Sequence, residues 1–323
     1  MRVSDFGRFA LSTCVAAAML AACGGGSQPP ISVPGAMPLG QTPSQARHML
    51  LPSQQYLYVA VPGAVDVLKY PAGVPIESIA AWGPMCVNSR NGEIYISNGT
   101  SLEKYAAGGT RPVASVFFKV GTSSVGCAVD PTTGDVALVL SVAQSRKLDT
   151  YVAVYSSLSR HPKKYTDPSI NNLYYLGYNP SGDLFVDGLR PGGGFGFDEL
   201  PKGSKRFTSI SLSLQIDPGA VQWDGSYMTI EDPRPIEIYR IAITGSSGSV
   251  VGTTKLRNQT KTKNVPYAWT WIQGDTVIAG QGKGNHNVAY WNYPAGGKPY
   301  HVLKGVSPGK HGFVDYLIVT TAN

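Results

Sequence analysis

The chain has 323 residues with 38 glycines and 24 prolines, well above average usage, and 15% of it is charged where about a quarter is usual. This abundance of turn-forming residues, alongside 42% apolar residues and 18 tyrosines, excludes a helical bundle or coiled coil. Ordinary apolar content with a net charge of +7 excludes a disordered chain, leaving an all-β protein of many short strands.

The first element is a leader. Arg2 and Arg8 flank Asp5, and an apolar stretch follows from Phe9 to Leu20, shorter than the roughly 20 helical residues a bilayer core requires. It ends in Leu20-Ala21-Ala22-Cys23, which resembles a bacterial lipobox. The resemblance implies that residues 1–22 are a lipoprotein signal peptide and that Cys23 carries the lipid. Gly24 follows the cysteine in place of the aspartate that resembles an inner-membrane retention signal, so the outer membrane is expected, with the chain facing the periplasm or the outside. Residues 23–50 comprise this cysteine and a Gly-, Pro- and Ser-rich flexible spacer. Cys14 leaves with the leader, so Cys86 and Cys127 remain in a compartment that permits disulfides.

Residues 51–323 contain a repeat of roughly 35–50 residues. Its first marker is a β-rich run, as in Gln55-Tyr56-Leu57-Tyr58-Val59-Ala60, Gly92-Glu93-Ile94-Tyr95-Ile96-Ser97 and Gly182-Asp183-Leu184-Phe185-Val186-Asp187, with further copies at Gly134, Gly225 and Gly274. In all copies but the first, a glycine precedes the run, supplying the positive φ of a tight hairpin. A second marker follows, as in Val67-Leu68-Lys69-Tyr70-Pro71-Ala72-Gly73 and Tyr293-Pro294-Ala295-Gly296-Gly297. With the run before each glycine turn, every copy makes four antiparallel strands that are apolar on both faces and cannot bury them alone. Stacking such units around an axis is a β-propeller, and six blades of about 45 residues fit the domain. The first copy has no strand and glycine turn before it, so the terminal run Gly312-Phe313-Val314-Asp315-Tyr316-Leu317-Ile318-Val319 is expected to close the ring. Seven blades, with the tail in another unit, is the alternative.

Leu57-Tyr58-Val59-Ala60 with Val67-Leu68-Lys69-Tyr70, and Ile94-Tyr95-Ile96-Ser97-Asn98 with Tyr105, resemble repeats of the NHL and YVTN propeller group, to which the SMP-30/gluconolactonase-like proteins are similar in structure. The lactonase resemblance implies a divalent metal held by carboxylates in the channel. Asp130, Asp187, Glu231 and Asp232 are the oxygen ligands available from different blades, and a calcium-like site requires several such oxygens to converge. The bland reading is that they cap turns. No metal-binding histidine spacing or phosphate loop occurs.

Tyr267, Trp269 and Trp271 share one strand face, as do Trp291 and Tyr293 one strand later. Trp269, Trp271 and Trp291 either face a ligand or fill the space between blades. Cys86 and Cys127 precede their glycine turns by runs of opposite parity, which points them to opposite sheet faces, as contact between stacked blades requires. A disulfide and two free thiols both fit that spacing. Lys255, Arg257, Lys261 and Lys263 lie close together but without interleaved aromatics, so nucleic acid is not the expected partner.

These features lead to an expected lipid-anchored binding or scaffold protein at the cell envelope, without a cofactor, whose partner is a protein or glycan. A metal-dependent hydrolase or lactonase holding a calcium-like cation is the second expectation.

Overall fold

A computed structural model of the chain describes residues 53–144, 147–257, 269–280, 287–306 and 314–322. The leader, Cys23, the spacer and Tyr267 lie outside these residues.

Among the described residues, twenty-four strands form six four-stranded antiparallel sheets. The first blade holds β1 (Gln55–Val61), β2 (Ala64–Lys69) and β3 (Val74–Ile79). The second is β4 (Met85–Val87), β5 (Ile94–Asn98), β6 (Ser101–Tyr105) and β7 (Pro112–Phe117), and the third is β8 (Thr122–Val129), β9 (Val136–Gln144), β10 (Lys147–Tyr155) and β11 (Lys163–Tyr165). The fourth runs through β12 (Asn172–Tyr178), β13 (Leu184–Leu189), β14 (Phe195–Leu200) and β15 (Thr208–Ser209). The fifth comprises β16 (Val221–Trp223), β17 (Met228–Pro233), β18 (Ile236–Thr244) and β19 (Ser247–Lys255). The sixth comprises β20 (Thr270–Gln273), β21 (Thr276–Gly280), β22 (Val288–Asn292) and β23 (Gly296–Leu303). The last strand, β24 (Tyr316–Thr321), pairs antiparallel with β1, setting Ile318 opposite Tyr58 and Val319 opposite Leu57, and so becomes the inner strand of the first blade. The fold is a six-bladed β-propeller closed by its C-terminal strand, and the seven-bladed alternative is excluded.

The core is divided among the blade interfaces, and alternation along a strand explains how. On β1, Tyr58 and Ala60 pack with Met85, Ile94 and Ile96 of the second blade, whereas Leu57, Val59 and Val61 pack with Ile278, Val288 and Tyr290 of the sixth. The same two-sided burial makes β5, β13 and β17 buried along almost their whole length, which is why these segments read as continuous apolar runs. Outer strands such as β3 and β7 are mostly exposed and leave Val74, Ile76, Val113 and Phe117 at the surface.

The hairpins joining inner to second strands contain Gly92, Gly134, Gly182, Gly225 and Gly274, all with positive φ. They emerge together at one end of the channel, the hairpin face. The turns between second and third strands, and the crossings from each blade to the next, lie at the opposite face.

Candidate functional site

The six inner strands wall a central channel with one cavity at each end. At the hairpin face a cavity of about 430 Å³ is lined by Trp223, Trp271, Tyr178, Gln222 and the Cys86 and Cys127 walls. Its described lining contains no Asp, Glu, Lys, Arg or His. Most of its amides are already committed: Gln222 donates to the carbonyl of Ile272 at 2.8 Å and accepts from its N–H at 2.9 Å, while Asn179 holds Asp183 at 2.8 Å. The surface left to a ligand is therefore aromatic, with half-buried Trp223, Trp271 and Tyr178.

At the opposite face a cavity of about 300 Å³ is lined by Trp82, Ser97, Ser124, Tyr174, Tyr175, Trp269, Asp315 and Tyr316. Trp269 belongs to both cavities and marks the boundary between them. Its ring meets Tyr175 edge-on at 5.2 Å and Tyr316 at 5.3 Å between centroids, an aromatic cluster between the two cavities.

Of the aromatics singled out from the sequence, Trp269 and Trp271 face the channel. Trp291 does not: it is fully buried between the fifth and sixth blades against Ile236, Ile238 and Val277, because the pleat of β22 turns it into the stack. It is a packing residue.

The carboxylates do not converge. Asp130 caps the hairpin between β8 and β9, accepting from the amide and the hydroxyl of Thr132 at 2.7 and 2.6 Å. Asp232 caps the β17–β18 turn at the opposite face through the amide of Arg234. Asp187 is wholly buried and clamps two blades, accepting from the amide of Tyr175 at 2.8 Å and of Gly219 at 2.9 Å. Glu231 repeats the device one blade on, accepting at Oε2 from the amide and hydroxyl of Thr270 at 3.0 and 2.8 Å, while Oε1 has no partner among the described residues. Burial pushes Asp187 well above the usual carboxylate range and lifts Glu231 to about 7, with the charge of Glu231 adding to the rise at Asp187. Among the described residues no three His, Cys, Asp or Glu side chains gather as a metal site. These four positions act in the turns and blade joints.

Cys86 on β4 and Cys127 on β8 are joined as a disulfide, with Cα atoms 5.4 Å apart, linking the inner strands of the second and third blades. Of the basic cluster, Lys255 pairs with Glu237 at 2.8 Å, and Lys261 and Lys263 lie outside the described residues.

Sequence reasoning missed Trp82 and Asp315. Trp82 Nε1 donates to Asp315 Oδ2 at 2.6 Å across a separation of 233 positions. The available signal was their shared setting, each lying just before an inner strand of neighbouring blades.

No protein-family model matches the chain, and no curated protein matches it by sequence. Among solved structures it is similar to a protein of unknown function from Bacteroides caccae, at 10% identity and a TM-score of 0.59, covering 83% of this chain and 99% of that one. It is similar also to a chain in the structure of a nidogen/laminin complex, at 11% identity and a TM-score of 0.61, with the same coverage of each chain. At such identities the likeness concerns the fold alone.

Proposed function

We propose that this chain is an exported, lipid-anchored propeller that acts as a binding or scaffold protein at the cell envelope and not as an enzyme. Cys23 carries the lipid, residues 23–50 form the tether, and the outer membrane is the site of attachment. The observation that carries the binding role is the uncharged, aromatic cavity at the hairpin face. Indole and phenol rings with few uncommitted polar groups suit the apolar faces of sugar rings, so the partner is a glycan of the envelope. The nidogen/laminin chain, a propeller found in a complex, supports binding as a use of this architecture.

The test is titration of the full-length protein with envelope glycan fragments, followed by calorimetry. Trp271→Ala should weaken binding at least tenfold, the effect of removing a central aromatic anchor, and its unfolding midpoint is measured alongside because Trp271 also packs on the first-blade core. Wild-type affinity in that variant overturns the assignment. A stoichiometric divalent cation in purified protein would replace it with the metal-dependent hydrolase or lactonase reading.

A further inference from the structure

The cavity at the opposite face has a different chemistry. Asp315 is the one carboxylate in its described lining, which contains no Lys, Arg or His. Around it stand Trp82, Tyr174, Tyr175, Trp269 and Tyr316. Oδ2 of Asp315 accepts from Trp82 Nε1, and among the described residues Oδ1 accepts no hydrogen bond. Ser97 and Ser124, also in the lining, bond to each other through their hydroxyls.

An ionised carboxylate set among aromatic rings is poorly solvated, and a single indole N–H compensates only part of its charge. The aromatic faces add negative potential, and each attracts a cation lying within about 6 Å of its centre. A hard divalent ion requires six to eight oxygens, which the lining does not offer. A diffuse organic cation is satisfied by ring faces and one carboxylate. The cavity volume of about 300 Å³ lies at the small end of ligand sites and limits the occupant to a small molecule.

We propose that this mouth binds a small organic ammonium ion, its cationic head against Asp315 and the rings of Trp82 and Tyr316. The site is distinct from the hairpin-face cavity, with which it shares Trp269.

The experiment is calorimetric titration of the full-length protein with choline, with ethanolamine and with 3,3-dimethylbutan-1-ol, which copies choline's shape without its charge. An ammonium probe should bind at least tenfold more tightly than the neutral alcohol. Asp315→Asn should abolish that preference, and Trp82→Ala, at a rim position that is 47% exposed, should weaken ammonium binding at least threefold. Burial lifts Asp315 to about 6 against the lowering effect of the Trp82 N–H, and Tyr316 is raised and stays neutral. Choline keeps its charge at every pH, so its affinity should fall as the pH drops through about 6, and Asp315→Asn should remove that dependence. Trp271→Ala should leave ammonium binding intact. Equal affinity for the ammonium probes and the alcohol, no saturable binding by either ammonium probe, or unchanged affinity in Asp315→Asn overturns the proposal.

Discussion

The hydroxyl of Thr320 donates to the carbonyl oxygen of Gly92 at 2.7 Å, tying the final strand of the chain to the first glycine hairpin of the second blade. Gly92 has φ of +72°, and a Cβ there would collide with the carbonyl oxygen of Thr321. The closing strand is thus locked on two sides, by the β1 ladder and by this hairpin.

Gly92→Ala should therefore lose about 2 kcal/mol or more, combining left-handed strain with the collision. Gly63→Ala is the matched control, since Gly63 has φ of +81° and open space around it, and should lose only the conformational part, about 1 kcal/mol. Deleting residues 314–323 should abolish cooperative unfolding and protease resistance. Denaturant melts and limited proteolysis check both, and equal losses at the two glycines would mean that the Thr321 contact is unimportant.

The Cys86–Cys127 disulfide spans 41 positions between inner strands of neighbouring blades. Breaking it should destabilise the ring by about 2–4 kcal/mol through the regained freedom of the unfolded chain. The measurement is the denaturant midpoint with and without reductant, beside a non-reduced peptide map. Two free thiols in that map would rule the bond out.

Glu231 makes stability depend on pH. Its folded-state value of about 7 lies above its ordinary 4.5, so the native state holds the proton more tightly than the unfolded chain does. Stability is then fully present below about 4.5 and declines as the pH rises towards 7, by on the order of 3 kcal/mol from this group. Asp187 and Asp232 are also raised, mainly by burial, and act in the same direction. Glu231→Gln keeps an acceptor for Thr270 and removes the ionisation, so it should flatten the decline and be more stable than wild type at pH 8. Melts from pH 5 to 8 decide this; an unchanged slope assigns the effect elsewhere.

The sequence made the blades legible because two local rules coincide there: glycine marks each tight hairpin, and strands buried on both faces lose their polar alternation. Closure was readable from the missing first strand. The channel was not readable, because its walls are assembled from the starts and ends of six inner strands far apart in the chain. Alternation correctly placed Trp269 and Trp271 on a common strand face, but it could not tell a channel-facing indole from one turned between blades, as Trp291 is. The carboxylates misled for a related reason: Asp187 and Glu231 hold equivalent positions because blade joints recur, and recurrence at a joint looks like a shared site when only positions are known.

The rings of Tyr175, Trp269 and Tyr316 lie between the two cavities, so the indole of Trp269 forms part of the wall of both. If both proposed sites are occupied, the ring is a two-sided adaptor. A guest on one side would then be felt on the other through the single indole in both described linings.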